Sequence, residues 1–141
     1  MLVDTAGHLL AVLVLAADVS DRDGAVLLLA IYAARYPELV LIWGDSHYGG
    51  DLSAETKAAF GIVIAAVSKP PEQEGFVVQP RRWVVERSFA WLTRCRRLAR
   101  DYEREPTYSE AWVYLAETHR LLKHLAPDPA LPVPYQRREA A

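Results

Sequence analysis

The sequence has a single cysteine, Cys95, among its 141 residues, so no disulfide can form within the chain. Its N-terminus lacks the positively charged stretch followed by an apolar stretch that marks a secretory signal. The longest apolar runs, LLAVLVLAA and AVLLLAIYAA, are shorter than the roughly 20 residues that a membrane-spanning helix needs. We therefore expect a cytoplasmic protein without membrane segments, with 52% hydrophobic residues supplying one core.

The sequence also lacks the motifs of two common kinds of site. No predicted strand is followed by a glycine-rich phosphate loop, which disfavours a nucleotide-binding fold. The four histidines do not form a zinc pattern with Cys95, and His119 and His124 are not at the i, i+4 spacing of helical metal sites. His47 could contact a phosphate because it lies close to Asp45, although an ordinary histidine of a surface loop is the simpler interpretation.

Arginine, in contrast, is concentrated in one stretch. Residues 81–104 hold eight arginines and three acidic residues, a net charge of +5, which leaves −7 for the rest of a chain whose total is −2. A local excess of guanidinium groups attracts a polyanion such as DNA. The alternative is a solvated helix face without a ligand, and charge by itself favours that alternative.

Local patterns in the first 37 residues predict a β-hairpin followed by a helix. Gly7 can supply a turn between strands near Leu2 to Asp4 and near Leu9 to Leu15. The capping side chains of DVSDRDG precede the apolar run AVLLLAIYAARY, which suits a buried helix. We expect that helix to end at Pro37.

The next segment predicts a strand, a helix and a second strand. ELVLIWGD is an apolar run stopped by Gly44 and Asp45, which is typical of a central strand buried on both faces. GGDLSAETKAAFG predicts a polar loop and a short helix, and IVIAAVSK has the β-branched residues of another strand. In the loop PPEQEGFVVQP we expect a short extended piece at Phe76 to Val78.

Two helices are expected to complete the domain. The stretch RRWVVERSFAWLTRCRRLARDYE predicts one helix from Arg81 to Glu103, and a second helix follows through about Leu125, with Thr107 or Ser109 as its cap. From residue 126 the tail is proline-rich and expected to be disordered. A hairpin followed by strands that alternate with helices predicts an α/β fold with a mixed sheet and flanking helices.

Glu86 stands among arginines in the predicted helix, beside an apolar stripe that is expected to face the sheet. The stripe recurs at steps of three or four residues: Val85, Phe89, Leu92, Cys95 or Arg96, Ala99 and Tyr102. A carboxylate at this position could point along the sheet toward the end of a strand. An ordinary helical ion pair with Arg82 also accounts for Glu86, contributes only about a few tenths of a kcal/mol, and is favoured by spacing alone.

Asp45 directly follows the predicted buried strand, between glycines that allow the chain to turn and a ligand to approach. A carboxylate at the C-terminal end of a central strand lies where open α/β sheets bind ligands. The alternative is an Asx-turn or helix cap, and spacing supports both equally. With Glu86, Asp45 could hold divalent cations through oxygen ligands and so support phosphodiester chemistry.

Three blocks of the sequence resemble consecutive blocks of bacterial insertion-sequence transposases of the DDE type. These blocks are LVDTAGHLLAVLVLAADVSDRDGA, LIWGDSHYGG and GFVVQPRRWVVERSFAWLTRCRRLARDYER. The resemblance runs from about Leu2 to Leu125 and extends to block order and spacing. It implies a ribonuclease H-like core, similar to that of retroviral integrases. It also implies DNA transposition by metal-dependent DNA strand cleavage and strand transfer at insertion-sequence ends.

The resemblance assigns roles to particular residues. Asp45 corresponds to the second catalytic Asp, which ends the fourth core strand, and Tyr48 to an aromatic residue that often follows it. Glu86 corresponds to the catalytic Glu, with Arg82 four positions before it and Arg94 about two turns after it. Both acids would be metal ligands for Mg²⁺ or Mn²⁺, with two ions in the intact enzyme that activate a nucleophilic oxygen and stabilise the leaving one.

The resemblance also implies double-stranded DNA, from transposon ends and target, as the partner. The expected DNA-binding residues are basic: Arg82, Arg87, Arg94, Arg97 and Lys69, with Lys69 supported by charge alone. Trp83 and Trp91 are expected to pack in a core rather than to contact DNA. Because such enzymes pair two DNA ends, the resemblance implies self-association as well.

One element of the family pattern is missing. The first catalytic Asp ends the first core strand, upstream of the LVDT block, and Asp4 does not replace it because it belongs to the hairpin turn. We therefore expect residues 1–125 to be a partial ribonuclease H-like catalytic domain without its first strand, from the C-terminal part of a transposase, and residues 126–141 to be a tail. The missing strand would leave a sheet edge unpaired. Little or no catalysis is expected from this chain alone.

Three interpretations remain open. The chain could be a truncated transposase that is inactive alone. It could be half of an enzyme completed in trans by an upstream transposase polypeptide. It could also be a DNA-binding or regulatory remnant that uses the basic stretch without catalysis. Coding sequence upstream of Met1 for a strand that ends in Asp would favour completion in trans.

Overall fold

The computed structural model describes residues 1–67 and 83–126. In chain order these residues form the following strands and α-helices: β1 (Leu2–Val3), β2 (Leu9–Ala11), α1 (Asp21–Tyr32), β3 (Leu41–Gly44), α2 (Leu52–Phe60), β4 (Val63–Ala66), α3 (Trp83–Leu92) and α4 (Pro106–Leu125). Short 3₁₀ helices follow α1 at Ala33–Arg35 and β3 at Ser46–Tyr48. The predicted extended piece at Phe76–Val78, the predicted DNA contacts of Lys69 and Arg82, and residues 127–141 of the predicted tail lie outside the described residues.

The first two strands form the predicted hairpin, in which β1 pairs antiparallel with β2. Asp4 holds the turn, because its Oδ1 accepts hydrogen bonds from the backbone N–H groups of Ala6 and His8, each at 2.8 Å. Gly7 has a φ of 86°, a left-handed conformation that glycine adopts without strain. The second strand is shorter than predicted, since β1 offers only two residues for pairing.

Helix α1 begins where its capping residues predict. The Oγ of Ser20 accepts a hydrogen bond from the backbone N–H of Asp23 at 3.2 Å, and Asp21 and Asp23 place negative charge in the first turn. The helix ends at Tyr32, and one 3₁₀ turn then leads to Pro37. The prediction of a capped helix before this proline is confirmed.

Strands β3 and β4 form a parallel pair whose register runs from Leu41 opposite Val63 to Gly44 opposite Ala66. Helix α2 connects them, so the predicted strand, helix and strand are confirmed. The prediction that β3 is buried on both faces is wrong, because Leu41 is exposed and the rest of the strand is only half-buried. Among the described residues β3 pairs with one strand only, β4.

Two adjoining hydrophobic clusters form the core. The buried residues of the first come from α1, α2, β4 and the residue directly before β4: Leu29, Leu52, Ile64 and Ile62. Those of the second come from the hairpin and α1: Leu2, Ala11 and Leu28. Leu39 and Ile42 pack against both clusters, so α1 and β3 connect the hairpin to the parallel pair.

In the described part of the chain the strands form two separate two-stranded sheets, β1 with β2 and β3 with β4. The antiparallel hairpin is as predicted, but a single mixed sheet that joins it to the parallel pair is not found among these residues. Hydrophobic pattern identifies which segments are strands. It does not determine which strands are neighbours, because pairing between distant segments depends on contacts that the pattern does not encode.

The long basic helix predicted from Arg81 to Glu103 is wrong in its extent, because α3 ends at Leu92. Successive turns follow, in which the backbone N–H of Cys95 donates to the carbonyl of Leu92 and that of Leu98 donates to the carbonyl of Cys95. Residues 93–104, which we call the basic loop, therefore carry five of the arginines outside a regular helix.

The apolar stripe predicted to face the sheet is also wrong. Phe89 and Tyr102 are exposed, whereas Ser88 is buried against the hairpin turn. The buried face of α3 is rotated by about one residue from the predicted one, since polar contacts with the hairpin, rather than apolar area alone, determine its orientation.

Helix α4 begins with Pro106, a residue that suits the first helical position because its missing N–H needs no partner there. Its N-cap is Glu105, without a side-chain hydrogen bond to the helix, so the predicted caps Thr107 and Ser109 are wrong. Ser109 instead donates from its Oγ to Oδ1 of Asp101 at 3.1 Å. None of the helices in residues 1–67 and 83–126 is long and apolar enough to cross a membrane.

Candidate functional site

Asp45 lies immediately after β3, at the carboxyl end of the parallel pair, as predicted. Its Oδ1 accepts a hydrogen bond from the backbone N–H of His47 at 2.9 Å and lies 3.3 Å from Nδ1 of the same histidine. The structural interpretation of Asp45 as a turn and cap residue is therefore correct. It does not conflict with a ligand role, since these contacts use Oδ1, and Oδ2 has no hydrogen bond to the described residues and could bind a cation.

The loop around Asp45 is held on both sides. The ring of Tyr48 packs so closely on Gly44 that a Cβ at residue 44 would lie 2.8 Å from its Cδ2. Arg22 donates from Nη1 to the carbonyl of Gly49 at 2.8 Å. These contacts fix the turn that presents Asp45 and explain why glycine occupies the last position of β3.

Tyr48 lies in partly buried, acidic surroundings. Burial raises the pKa of its hydroxyl, and the carboxylates of Asp21 and Asp45 raise it further. A tyrosine hydroxyl is protonated at neutral pH even without such a shift, so it is available as a hydrogen-bond donor near the acidic groups. The sequence singled out Tyr48 by resemblance only, and its packing on Gly44 gives it a physical role.

Glu86 lies in the first turn of α3 with an exposed side chain. The two residues after it fix the helix on the hairpin turn. Arg87 donates from Nη2 to the carbonyl of Ala6 at 2.7 Å, and the buried Ser88 donates from Oγ to the carbonyl of Gly7 at 2.8 Å. The position of Glu86 is thus determined by the hairpin and α3.

Asp45 and Glu86 are therefore carried by different parts of the fold. Asp45 belongs to the parallel pair, while α3 packs against β1 and α4. Their convergence on a shared cation cluster stays a prediction. Within residues 1–67 and 83–126 no group of three or more His, Cys, Asp or Glu side chains could hold a metal ion. Carboxylate oxygens suit Mg²⁺, but the described residues do not complete a site for it by themselves.

Arg87, a predicted DNA contact, has a structural environment. Its guanidinium lies over the rings of Trp83 and Trp91, at 4.2 and 4.7 Å from their centroids. Its Nε is buried and has no hydrogen-bond partner among the described residues. Arg120 lies over Trp91 as well, at 4.3 Å. Both tryptophans are half-buried and pack against guanidinium groups, outside the two hydrophobic clusters, so their expected place in a core is not found and the absence of a DNA contact stays a prediction. The sequence signal for these ring contacts is the spacing of Trp83 and Trp91, four residues before and four residues after Arg87 on one helix.

The other two predicted DNA contacts in the described residues, Arg94 and Arg97, lie in the exposed basic loop. Arg97 forms an ion pair with Glu103 and lies over the rings of Tyr102 and Trp112, so part of its charge is used within the protein. The loop as a whole has five arginines and two acidic residues, a net charge of +3. Its exposed arginines other than Arg97 are Arg94, Arg96, Arg100 and Arg104.

Sequence reasoning missed the polar contacts between α4 and the hairpin. Glu117 is buried, pairs with Arg120 and accepts a hydrogen bond from the backbone N–H of Leu9 at 3.3 Å. Burial alone would raise the pKa of Glu117, but the hydrogen bonds from Arg120 and Leu9 outweigh it and lower the pKa. The partners are about a hundred residues apart in the chain, so no local pattern could have revealed them.

Comparison with known proteins agrees with the resemblance in the sequence. No curated protein and no solved structure matches the chain. The family model described as Transposase DDE domain matches residues 1–116, which is most of the 141-residue sequence and includes the positions of both candidate acids. This family consists of DNA nucleases and strand-transfer enzymes that generally use divalent metal ions, and it implies a ribonuclease H-like fold. The chain belongs to the transposase DDE domain family.

Proposed function

We propose that this chain contributes Asp45 and Glu86 as carboxylate ligands to a divalent-cation site for DNA strand cleavage and strand transfer at insertion-sequence ends. The proposal rests on the position of Asp45 at the carboxyl end of β3, in a chain whose family match spans residues 1–116. Side chains at this end of parallel strands commonly bind ligands. The proposed ions are Mg²⁺ or Mn²⁺, two in the complete site, since both accept hard oxygen ligands.

The two acids hold and orient the ions in this proposal. Asp45 lies on a short turn that Tyr48 and Arg22 hold in place, so its Oδ2 needs little rearrangement to bind a cation. Glu86 is presented by α3, whose contact with the hairpin is fixed by the buried Ser88. When bound, divalent ions activate a nucleophilic oxygen and stabilise the leaving oxygen. The exposed arginines of the basic loop neutralise DNA phosphates near the reacting strand.

The family resemblance implies a third catalytic carboxylate, and the described residues by themselves hold no cluster of three potential metal ligands. We infer that an upstream transposase polypeptide supplies it, on a strand that pairs with the hairpin or with β3. The support for this step is that β1–β2 and β3–β4 form separate two-stranded sheets among the described residues, so each sheet offers an edge for another strand. The chain alone is then expected to catalyse little or no cleavage.

A metal-dependent cleavage assay tests the proposal. Duplexes from the ends of the insertion sequence are incubated with the chain alone and with the upstream polypeptide added. We expect cleavage only in the mixture and only with Mg²⁺ or Mn²⁺. Asp45→Asn and Glu86→Gln should each lower it by at least about 100-fold, because even changes to residues behind the ligands of a metal site cost roughly 10- to 100-fold.

The matched control for these variants is Glu38→Gln, which removes an exposed carboxylate before β3. Its cleavage rate should equal that of the unmodified chain. Cleavage by the chain alone would contradict the need for an upstream polypeptide, and full activity in Asp45→Asn would contradict the ligand role of Asp45.

DNA binding without catalysis is the second candidate function. The basic loop favours it, because four of its exposed arginines make no ion pair with the described residues. Under this alternative the chain binds duplex DNA in a salt-dependent way, and the mixture with the upstream polypeptide does not cleave it with either metal. The cleavage assay therefore separates the two candidates.

A further inference from the structure

One face of α4 is exposed and mostly apolar. Its large members are Tyr108, Leu115, Leu122 and Leu125, with 60%, 57%, 59% and 79% of their surfaces exposed. The opposite face packs on the rest of the molecule through the buried Ser109 and Glu117. The exposed face of a helix that packs on one side only is usually polar. An apolar stripe on that face therefore indicates a surface that binds another molecule.

The stripe repeats every seven residues. Tyr108, Leu115 and Leu122 occupy one position of the repeat, and Ala111, Thr118 and Leu125 occupy the position three residues later. A repeat of this kind keeps an apolar seam on one side of a helix and is typical of a helix that pairs with another helix. The six positions cover 18 of the 20 residues of α4.

We propose that the stripe binds the same stripe of a second copy of this chain, with the two α4 helices antiparallel. In the best antiparallel register, Tyr108 lies against Leu125, Ala111 against Leu122, and Leu115 against Thr118 of the other copy. Each layer occurs twice about the two-fold axis, so one surface is its own partner. Large residues face small ones in two of the three layers, which lets the helices approach closely.

A depression on α4 suits this register. It has a volume of about 350 Å³ and is lined by Tyr108, Ala111, Trp112 and Leu115, together with Arg97 and Glu103. Ala111 is the smallest residue that lines the depression. The antiparallel register places Leu122 of the second copy opposite Ala111. The leucine would fill the depression as a knob fills a hole in a coiled coil.

Charge also favours a second copy in the antiparallel direction. The exposed residues of α4 include no Asp or Glu, and the basic side chains Lys123 and His124 lie in its last turn. Glu105 lies exposed at the other end. Antiparallel pairing brings this carboxylate toward the basic end of the second helix, and it also makes the two helix dipoles antiparallel, which is favourable. Parallel pairing would instead place like charges together.

Sedimentation equilibrium of the full chain tests the pairing. We expect a dimer at micromolar concentrations and a dissociation constant at least tenfold weaker in Leu115→Glu, since the two introduced carboxylates would lie close to the two-fold axis. Ile31→Glu is the matched control, because Ile31 on α1 is similarly exposed at 55% and lies outside the stripe. It should dimerise like the unmodified chain.

Disulfide cross-linking tests the direction, in chains that carry Cys95→Ser. Ala111→Cys mixed with Leu122→Cys should cross-link, while each variant alone should not, because its two copies of one residue lie about 16 Å apart along the axis at 1.5 Å per residue. A monomeric unmodified chain, a dimer that survives Leu115→Glu, or faster cross-linking within either single variant would overturn the proposal. Circular dichroism of Leu115→Glu should show unchanged helix content.

Discussion

The backbone N–H of Val14 donates a hydrogen bond to Oε1 of Glu110 at 2.9 Å, across 96 positions of the sequence. One turn further along α4, the hydroxyl of Tyr114 accepts a hydrogen bond from the backbone N–H of Val12 at 3.3 Å. Both donors lie just beyond β2, where no strand among the described residues pairs with them. Side chains of α4 thus accept hydrogen bonds from backbone N–H groups that would otherwise be unpaired at the edge of the hairpin.

Removal of the Glu110 carboxylate should therefore destabilise the protein. We expect Glu110→Ala to lower the free energy of unfolding by about 1 kcal/mol, because the half-buried N–H of Val14 loses its partner. Glu110→Gln keeps an acceptor oxygen and should restore most of this loss. Urea denaturation monitored by circular dichroism measures the effect, and Glu38→Ala, at an exposed site, is the control. A Glu110→Gln variant as unstable as Glu110→Ala would show that charge rather than hydrogen bonding matters.

The buried Glu117 should make stability depend on pH. Its pKa is lowered in the folded protein from the usual 4.5, despite burial, by hydrogen bonds from Arg120 and the N–H of Leu9. A carboxylate with a lowered folded pKa stabilises the protein above its unfolded pKa, and this contribution is lost as the pH falls below about 4.5 through the folded pKa. Glu117→Gln should therefore lose less stability than the unmodified chain between pH 6 and about pH 3.

Urea midpoints at each pH provide the measurement. Asp4 also has a lowered pKa, despite the opposing effect of burial, because of its hydrogen bonds with His8 and Ala6. Asp4→Asn, measured in parallel, therefore separates the contribution of the turn from that of Glu117. Identical pH curves for Glu117→Gln and the unmodified chain would contradict a linkage through Glu117.

Local sequence was sufficient where neighbouring residues determine the structure. A helix cap within DVSDRDG and the strand, helix and strand from β3 to β4 follow from short-range patterns and are confirmed. The helix predicted to run to Glu103 ends at Leu92, and a series of turns follows at residues 93–100. The prediction was wrong there because arginines are good helix formers, so the local composition does not distinguish these turns from a helix. The arrangement of two sheets depends on long-range pairing, so the pattern could not give it.

The candidate site shows the same division. The position of Asp45 at the end of a strand followed from the apolar run and its glycines, and the structure confirms that position. The contacts of Arg87 with the hairpin and of Glu117 with Leu9 could not be predicted, since their partners are 81 and 108 positions away. The ligand roles of Asp45 and Glu86 came from family resemblance and stay predictions.

Gly44 and Tyr48 should be coupled, because a Cβ at residue 44 would lie 2.8 Å from the tyrosine ring. We expect Gly44→Ala to destabilise the protein by about 1–3 kcal/mol through overpacking. The cost should be smaller in a Tyr48→Ala background, where the ring is gone. A double-mutant cycle of unfolding free energies gives the interaction energy, expected to be at least about 0.5 kcal/mol for residues in contact. Simple additivity would show that the loop relaxes away from the strand.

The basic loop gives the sharpest test of DNA binding by the described residues. Arg94→Gln with Arg100→Gln removes two exposed guanidinium groups outside the ion pair of Arg97 with Glu103. If both contact phosphates, duplex affinity should fall roughly tenfold or more, and the slope of log K against log salt should become shallower by about 2.

A control with the same loss of charge decides whether the loop or the net charge is responsible. Arg35→Gln with Lys57→Gln also removes two exposed cations, but from α2 and the turn after α1. Fluorescence anisotropy with a labelled duplex, at several salt concentrations, measures both slopes. Because counterions are released only where cations meet phosphates, the control should keep the original slope. Equal changes in the two double variants would mean that the loop is not the DNA contact, and that the excess of arginine there acts only through the overall charge of the molecule.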